Sequence, residues 1–183
     1  MERRRRVRQR RPRPQPGRPS MQPVSPRVVE LLNDALTFEL TVTNTYFLHA
    51  RMLDNWGLSR LGKVFFDLSI EEMRDADELI NRILLFDGHP NVQRLHPIVV
   101  GEDALEMLNL AAASERAAVA QFNASAEECH TFGDHGTAAV FETMVLDEEK
   151  HADYFESQLA AVELIGVPQY LAQQLDAGQG PAN

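Results

Sequence analysis

Four helical segments of this chain place an acidic residue where the apolar pattern calls for a core side chain. Apolar residues recur at intervals of three and four along each segment, as on one face of an amphipathic helix. The stripes are interrupted, in chain order, by Glu39, Glu72, Glu115 and Glu148. A carboxylate buried without a partner costs several kcal/mol, so four of them in one small core require a source of positive charge. The pattern therefore predicts a pair of metal ions inside a helical bundle.

The composition fits one compact domain. The chain has 183 residues, of which 44% are hydrophobic and 25% charged, which allows a single substantial core. Its one cysteine, Cys129, excludes an internal disulfide and a four-cysteine metal site and is compatible with a reducing compartment. No apolar run reaches the roughly 18 residues that a membrane span needs. We therefore expect a cytoplasmic protein with no membrane partner.

Basic residues are concentrated at the start of the chain. Residues 1–20 hold nine Arg and one acid, whereas the remainder holds 9 basic and 26 acidic residues. The acidic body disfavours nucleic acid, so we do not expect a nucleic-acid partner. The Arg- and Pro-rich extension 1–24 is predicted to be disordered, and 177–183 to be a flexible C-terminus. A polyanion-binding arm stays open for the extension, but we favour a dispensable one because Met21 precedes an ordinary domain start.

Five helices are predicted in the bundle domain, residues 25–176. Their starts and ends are taken from apolar periodicity and from Ser, Pro and Gly signals at the boundaries. The predicted helices run from about Pro26 to Asn55, Ser59 to Asp87, Glu102 to Thr131 and His135 to Ile165, with a short fifth from about Gln169 to Leu175.

The connections between these helices differ in length, and this difference predicts the topology. Only two to four residues join the first helix to the second and the third to the fourth, which forces antiparallel neighbours. The 14 residues of 88–101 can return along the whole length of a helix of about 45 Å. The prediction is an all-α, ferritin-like four-helix bundle with one long crossover and a short fifth C-terminal helix. In that bundle the four carboxylates, all near mid-helix, meet at one level.

Two of the four acids are followed three residues later by another residue of a metal-ligating type. His151 follows Glu148, and Asp75 follows Glu72. One helical turn separates the members of each pair, so both point to the same place. In ferritin-like di-iron proteins, two helices give one Glu each and the other two give Glu-x-x-His. The predicted metal ligands are therefore Glu39, Glu72, Asp75, Glu115, Glu148 and His151, and Asp75 is the one departure from that pattern.

Several segments resemble the bacterioferritin family. The similarity extends over most of residues 28–171 and is carried by YFLHARM (46–52), NWGL (55–58), SIEEM (69–73), RIL (82–84) and DEE (147–149) with His151. The resemblance implies a hollow shell of twenty-four subunits, oxidation of Fe(II) at a di-iron centre within each subunit, and storage of the ferric mineral inside. It also implies that the ferroxidase ligands are Glu39, Glu72, Glu115, Glu148 and His151, with Glu72 and Glu148 as bridges.

Met73 carries a further implication of this resemblance. It lies on a second apolar stripe with Phe66, Ile70, Ala76 and Ile80, which we expect to be buried against a second subunit rather than in the bundle core. In bacterioferritins the corresponding methionines of two facing subunits ligate a haem b iron.

The remaining polar residues have weaker signals. Asp67 and Glu71 stand where the family often binds a further iron on the inner surface of the shell. His49, His89, His96, His130 and His135 have no complete ligand set in the sequence pattern, so structural or surface roles are predicted for them.

Asp75 leaves more than one function open, because it replaces the His that is usual in the family. Five carboxylates and two Fe(II) ions leave one net negative charge, which favours Fe(III). The chain is predicted either to be a ferroxidase with altered kinetics or to be a haem-binding shell subunit that depends on a second bacterioferritin subunit. A small di-iron oxidase is a further alternative. The expected partners are Fe(II), dioxygen or peroxide, copies of this chain or a second subunit, and a ferredoxin-type electron donor.

Overall fold

The structure is a computed structural model that describes residues 21–175, which form five α-helices and the segments that connect them. The helices are α1 (Pro26–Asn55), α2 (Ser59–Leu85), α3 (Ala104–Thr131), α4 (His135–Ile165) and α5 (Val167–Gln174). No β-strand occurs in this part of the chain, and none of its helices is long and apolar enough to cross a membrane. The all-α prediction is confirmed, and α1 and α4 have the predicted bounds. Of the extension predicted for 1–24, residues 1–20 lie outside the described residues, and so does the predicted C-terminus 177–183.

Side-chain and backbone caps explain where α2 and α3 differ from the predicted bounds. Asp87 has a φ of 52°, and the N–H of Gly88 donates to the carbonyl of Ile83 at 2.9 Å, so a left-handed Schellman turn ends α2 before Asp87. The Asp103 carboxylate accepts the N–H of Glu106 at 2.8 Å, which makes Asp103 the N-cap and starts α3 at the next residue.

Contacts between helix ends show that α2 and α3 run in the same direction. The two hairpins α1–α2 and α3–α4 supply the largest helix pairings. Arg27 at the start of α1 donates from Nε to Glu128 near the end of α3 at 3.0 Å, so α1 and α3 are antiparallel. Because α2 is also antiparallel to α1, the segment 86–103 crosses the length of the bundle. The ferritin-like topology with one long crossover is therefore confirmed.

Two apolar clusters fill the bundle and leave a layer between them. One cluster is built around Phe122 and Phe141, and the other around Phe65 and Phe155. On every long helix, the predicted acid falls in sequence between the residues of the two clusters. The four carboxylates therefore lie at one level, as predicted, between two hydrophobic cores.

A buried histidine fastens the crossover to the bundle. His49 is fully buried on α1, and its Nε2 accepts the backbone N–H of Gly101 at 3.1 Å. Its ring meets Phe65 edge-on, with centroids 5.7 Å apart. Burial lowers the pKa of His49 to about 4, so the imidazole is neutral and available as an acceptor at neutral pH.

The lowered pKa of His49 predicts a loss of stability in acid. The unfolded chain binds a proton at about pH 6.5 but the folded chain only near pH 4, so this stability is present above pH 6.5 and is lost as the pH falls toward 4. We expect His49→Gln, which keeps an acceptor but does not titrate, to lose about 2 kcal/mol less than the wild type over that interval. Urea unfolding at a series of pH values measures the difference.

His96→Gln is the matched control, because His96 is an exposed histidine of the crossover itself. Its unfolding free energy should follow the wild-type pH profile. Parallel profiles for the wild type and His49→Gln would contradict the role given to His49.

Candidate metal centre

The acids between the two cores are almost completely withdrawn from solvent. Glu39 and Glu115 are 0% exposed, and Glu72 and Glu148 are 1% exposed. Each acid comes from a different long helix. Each is buried because it lies on the apolar face of its helix, which the neighbouring helices cover. His151 is also buried, and Asp75 is half-buried. All six residues that the sequence predicted as metal ligands therefore meet in one layer.

The six side chains form two overlapping groups. Within each group, one ligand atom per residue lies within 4.8 Å of the others. The groups are Glu39, Glu72, Asp75 and Glu148, and Glu72, Glu115, Glu148 and His151. Glu72 and Glu148 belong to both groups, so they are placed to bridge two metal ions. One position offers oxygen ligands alone, and the other offers three carboxylates and one imidazole.

Several ligand atoms in this layer have no hydrogen-bond partner among the described residues. They are both carboxylate oxygens of Glu39 and of Glu148, one oxygen each of Glu72 and Glu115, and Nδ1 of His151. Buried polar atoms nearly always have a partner, and leaving one without costs about 1–3 kcal/mol. A pair of divalent cations would satisfy these atoms together, so the residues present fit a two-metal site.

His151 is held in the orientation of a metal ligand. Its Nδ1 faces the centre, 3.3 Å from Oε1 of Glu72 and 3.6 Å from Oε2 of Glu148. Its Nε2 lies 3.2 Å from Oε2 of Glu71 on the outer side. A carboxylate that accepts the second ring N–H fixes the tautomer that presents the other nitrogen to a metal. The family resemblance suggested Glu71 for a separate iron site, and its contact with His151 was not predicted.

Tyr46 is a second residue of the centre to which no role was assigned from the sequence. Its hydroxyl donates to Oε1 of Glu115, while its ring packs against Phe65 at 5.3 Å and Phe155 at 5.8 Å between centroids. The available signal was a tyrosine on the inward stripe of α1, because a buried hydroxyl needs an acceptor. Tyr46 orients the Glu115 carboxylate and leaves its other oxygen free for a cation.

The acids make this layer electrostatically unfavourable without cations. Burial, reinforced by neighbouring carboxylates, raises the pKa of Glu39 and of Glu115 well above the usual value, and burial also raises the pKa of Glu72. Burial and the charge of Glu72 raise the pKa of Asp75 to about 7. Because these pKa values are raised, ionising the acids costs stability as the pH rises through them.

The same carboxylates also raise the pKa of His151, which favours the charged form of this base. Burial alone lowers its pKa, but the close carboxylates of Glu148 and Glu72 and their negative charge outweigh burial and raise the pKa to about 11. Without a metal ion, an imidazolium is therefore the positive charge of the layer. A metal ion would displace that proton and take over its role, since a ligating imidazole is neutral.

Comparison with known proteins identifies the family. Residues 29–165 match the Ferritin-like domain. The chain is 43% identical over 145 residues to the bacterioferritin of Brucella melitensis biotype 1, which covers 79% of this chain and 90% of that protein. It is also 43% identical over 148 residues to the bacterioferritin of Mycolicibacterium paratuberculosis, covering 81% and 93% of the two chains, and 39% identical over 140 residues to that of Rhodobacter capsulatus, covering 76% and 87%. The chain belongs to the bacterioferritin family.

Asp67 and Met73, two residues that the family resemblance singles out, lie outside the two metal groups. Asp67 is exposed and pairs with Lys63, Nζ to Oδ2 at 2.5 Å, so it has a local partner on the surface of α2. Met73 is 47% exposed, and Ile70, three residues earlier, is 38% exposed. The expectation that this whole stripe faces away from the core is wrong for Ala76, which is fully buried in the bundle. Phe66 and Ile80 are half-buried against the same bundle.

Replacing one acid of the layer should separate metal binding from folding. Glu39→Gln has nearly the same shape but cannot ionise, so metal-free protein should keep its stability or gain about 1 kcal/mol. Zn²⁺, which has no redox chemistry, should raise the melting temperature of the wild type by mass action and raise that of Glu39→Gln much less. Differential scanning calorimetry of metal-free and Zn²⁺-loaded protein measures both effects.

Glu30→Gln provides the control for charge alone, because Glu30 is an exposed acid of the same helix. It should show the wild-type response to Zn²⁺. A response of Glu39→Gln equal to that of the wild type would remove Glu39 from the metal centre.

Proposed function

We propose that this chain is an iron-storage subunit that oxidises Fe(II) at the paired metal groups and retains the ferric mineral inside a multi-subunit shell. The observation that carries the proposal is the buried layer itself, in which seven side-chain atoms from four helices have no hydrogen-bond partner among residues 21–175. Sequence similarity to bacterioferritins over most of the chain supports the same function. The cytoplasmic location stays a prediction.

Fe(II) is the substrate of the proposed reaction. Glu72 and Glu148, which belong to both groups, would each contact both ions and hold them together. Each Fe(II) loses one electron, so a pair supplies the two electrons that reduce dioxygen to hydrogen peroxide, or peroxide to water, with two protons taken up. The anionic oxygens stabilise the Fe(III) product more than Fe(II), which favours oxidation. Dioxygen or peroxide is therefore the proposed oxidant.

Two neighbours would keep the ligands in position. The Tyr46 hydroxyl restrains Glu115, and the Glu71 carboxylate restrains His151. Glu71 is exposed, so it lies between the buried centre and the surface of α2. We propose that it also attracts incoming Fe(II), as the family resemblance suggests for Glu71 and Asp67, and that a ferredoxin-type donor later reduces the stored mineral.

Asp75 favours a working centre over an impaired one. Its carboxylate lies in the same group as Glu39, Glu72 and Glu148, so the position that lacks the usual His still has four ligands. Five carboxylates leave one net negative charge with two Fe(II) ions, which should strengthen the hold on Fe(III) and slow its release. The alternative of a shell subunit that depends on a second, intact subunit therefore has less support.

Stopped-flow oxidation of Fe(II) by the homopolymer tests this function. The wild type should show a fast phase equivalent to two Fe(II) per chain, and Asp75→Ala should slow that phase by at least about tenfold, because one ion loses a ligand. Asp75→His should keep the fast phase. It should also regain this phase sooner after a second addition of iron, because losing the extra negative charge should speed the release of Fe(III).

Asp77→Ala is the control for this series, because Asp77 is an exposed acid on the same helix. It should behave as the wild type. A wild-type homopolymer without a fast phase would instead support the heteropolymer. The same preparation tests storage: a shell retains far more iron than two ions per chain, whereas a small di-iron oxidase does not.

We also propose that Met73 binds haem b between two copies of this chain. Its thioether is exposed beside the exposed Ile70, which gives a soft donor at an apolar spot on α2. A single methionine on a helix surface cannot enclose a porphyrin, so a second copy would supply the other side. When bound, the haem would supply one-electron transfer.

Met73→Leu removes the sulfur at nearly constant volume. Wild type reconstituted with haem should bind one haem per two chains, and Met73→Leu should bind at least about tenfold more weakly while its oligomeric state is unchanged. Optical titration and size-exclusion chromatography measure these two properties. Met52→Leu is the matched control, and equal haem binding by both variants would contradict the assignment of Met73.

A further inference from the structure

A pair of histidines meets at the turn between α3 and α4. His130 lies in the last turn of α3 and His135 is the first residue of α4. Their Nδ1 atoms are 3.2 Å apart, and the ring planes are inclined at 52°. Structural or surface roles were predicted for both residues because neither has a complete ligand set in the sequence pattern. The folded turn brings them together.

A carboxylate fixes the orientation of one imidazole. Oε1 of Glu142, two turns along α4, lies 2.7 Å from Nε2 of His130. When the Nε2–H of neutral His130 donates to this carboxylate, Nδ1 of His130 carries a lone pair directed at His135. This is the outer-shell arrangement seen around metal-bound histidines, in which a carboxylate holds the second ring nitrogen.

The spacing of the two Nδ1 atoms suits a shared metal ion. Transition-metal ions bind imidazole nitrogen at about 2.0–2.1 Å, so nitrogens 3.2 Å apart would subtend about 100° at the ion. That angle lies between the octahedral and the tetrahedral values. The distance between the two nitrogens is therefore compatible with two neighbouring positions around one ion.

The turn that carries the pair is rigidly built. Gly133 has a φ of 76°, which the left-handed step between the helices requires. Asp134 caps α4 by accepting the N–H of Thr137 at 2.9 Å and pairs with Arg82 at 3.2 Å. These contacts fix the relative positions of the two histidine backbones, which lowers the entropy lost when an ion binds.

We propose that His130 and His135 form a surface site for a divalent transition-metal ion, with water in the remaining positions and Glu142 as the orienting carboxylate. Imidazole ligands suit Zn²⁺, Ni²⁺, Cu²⁺ and Fe²⁺. The chain has a net charge of -9, which concentrates cations at its surface. Glu148 lies thirteen residues along α4 from His135, about 20 Å away, so this site is separate from the buried centre.

Cu²⁺ is the probe that distinguishes this site from the metal centre. The centre contains one imidazole, His151, whereas the surface site would give a copper signal coupled to two nitrogens. In electron paramagnetic resonance of the assembled full-length protein, we expect the wild type to show this two-nitrogen signal. His130→Gln/His135→Gln should lose it and should bind one Cu²⁺ per chain fewer in equilibrium dialysis.

Three further measurements distinguish copper binding by His130 and His135 from binding elsewhere. His89→Gln/His96→Gln, which removes two exposed imidazoles of the crossover, should keep the signal. Glu142→Gln should weaken Cu²⁺ binding at this site by about tenfold or more, because the orienting charge is lost. Fe(II) oxidation by the His130/His135 variant should equal that of the wild type, which shows that the fold and the centre are intact. A two-nitrogen signal that survives in the double variant, or is absent from the wild type, would reduce the pair to a histidine–histidine hydrogen bond.

Discussion

The main constraint on this structure is the layer of four carboxylates between two hydrophobic cores, because burying them costs free energy. Glu39, Glu72, Glu115 and Glu148 occupy the level between the cores where all four long helices meet. In the metal-free state the cost is limited by protonation, which the raised pKa values of Glu39, Glu72 and Glu115 express, and by the imidazolium of His151. Two divalent cations would replace this partial compensation, and the layer would then be more stable with metal ions than without them.

Contacts far from the layer keep its geometry in place. His49 holds the end of the crossover at Gly101, and Arg27 joins the start of α1 to Glu128 near the end of α3. At the same end, Arg82 near the end of α2 pairs with Asp134 at the start of α4. These links prevent the helices from sliding along one another. A slide of one turn would be about 5.4 Å, which is enough to separate the side chains of the layer. Contacts at the ends of the bundle therefore hold the side chains of the layer in position.

The sequence predicted the bundle and the meeting of six side chains in one layer because burial leaves a periodic signal. An acid on an apolar stripe is visible without a structure, as Glu115 shows. The roles of Tyr46 and Glu71 were missed because each depends on a partner from another helix, Glu115 and His151, and periodicity carries no information on such pairs. Ala76 was misplaced because a side chain as small as alanine fits the edge of the core as easily as the outer face.

Asp75 and His151 make the two candidate metal positions chemically unequal. Asp75 completes a group of oxygen ligands alone, whereas the other group retains the nitrogen of His151. Oxygen donors favour harder ions, and the additional negative charge favours the higher oxidation state. Under the proposed function, the ion beside Asp75 would be the better stabilised as Fe(III), and the ion beside His151 the more readily exchanged. A single side chain on α2 thus biases the order in which the two positions release their product, without any change in the surrounding helices.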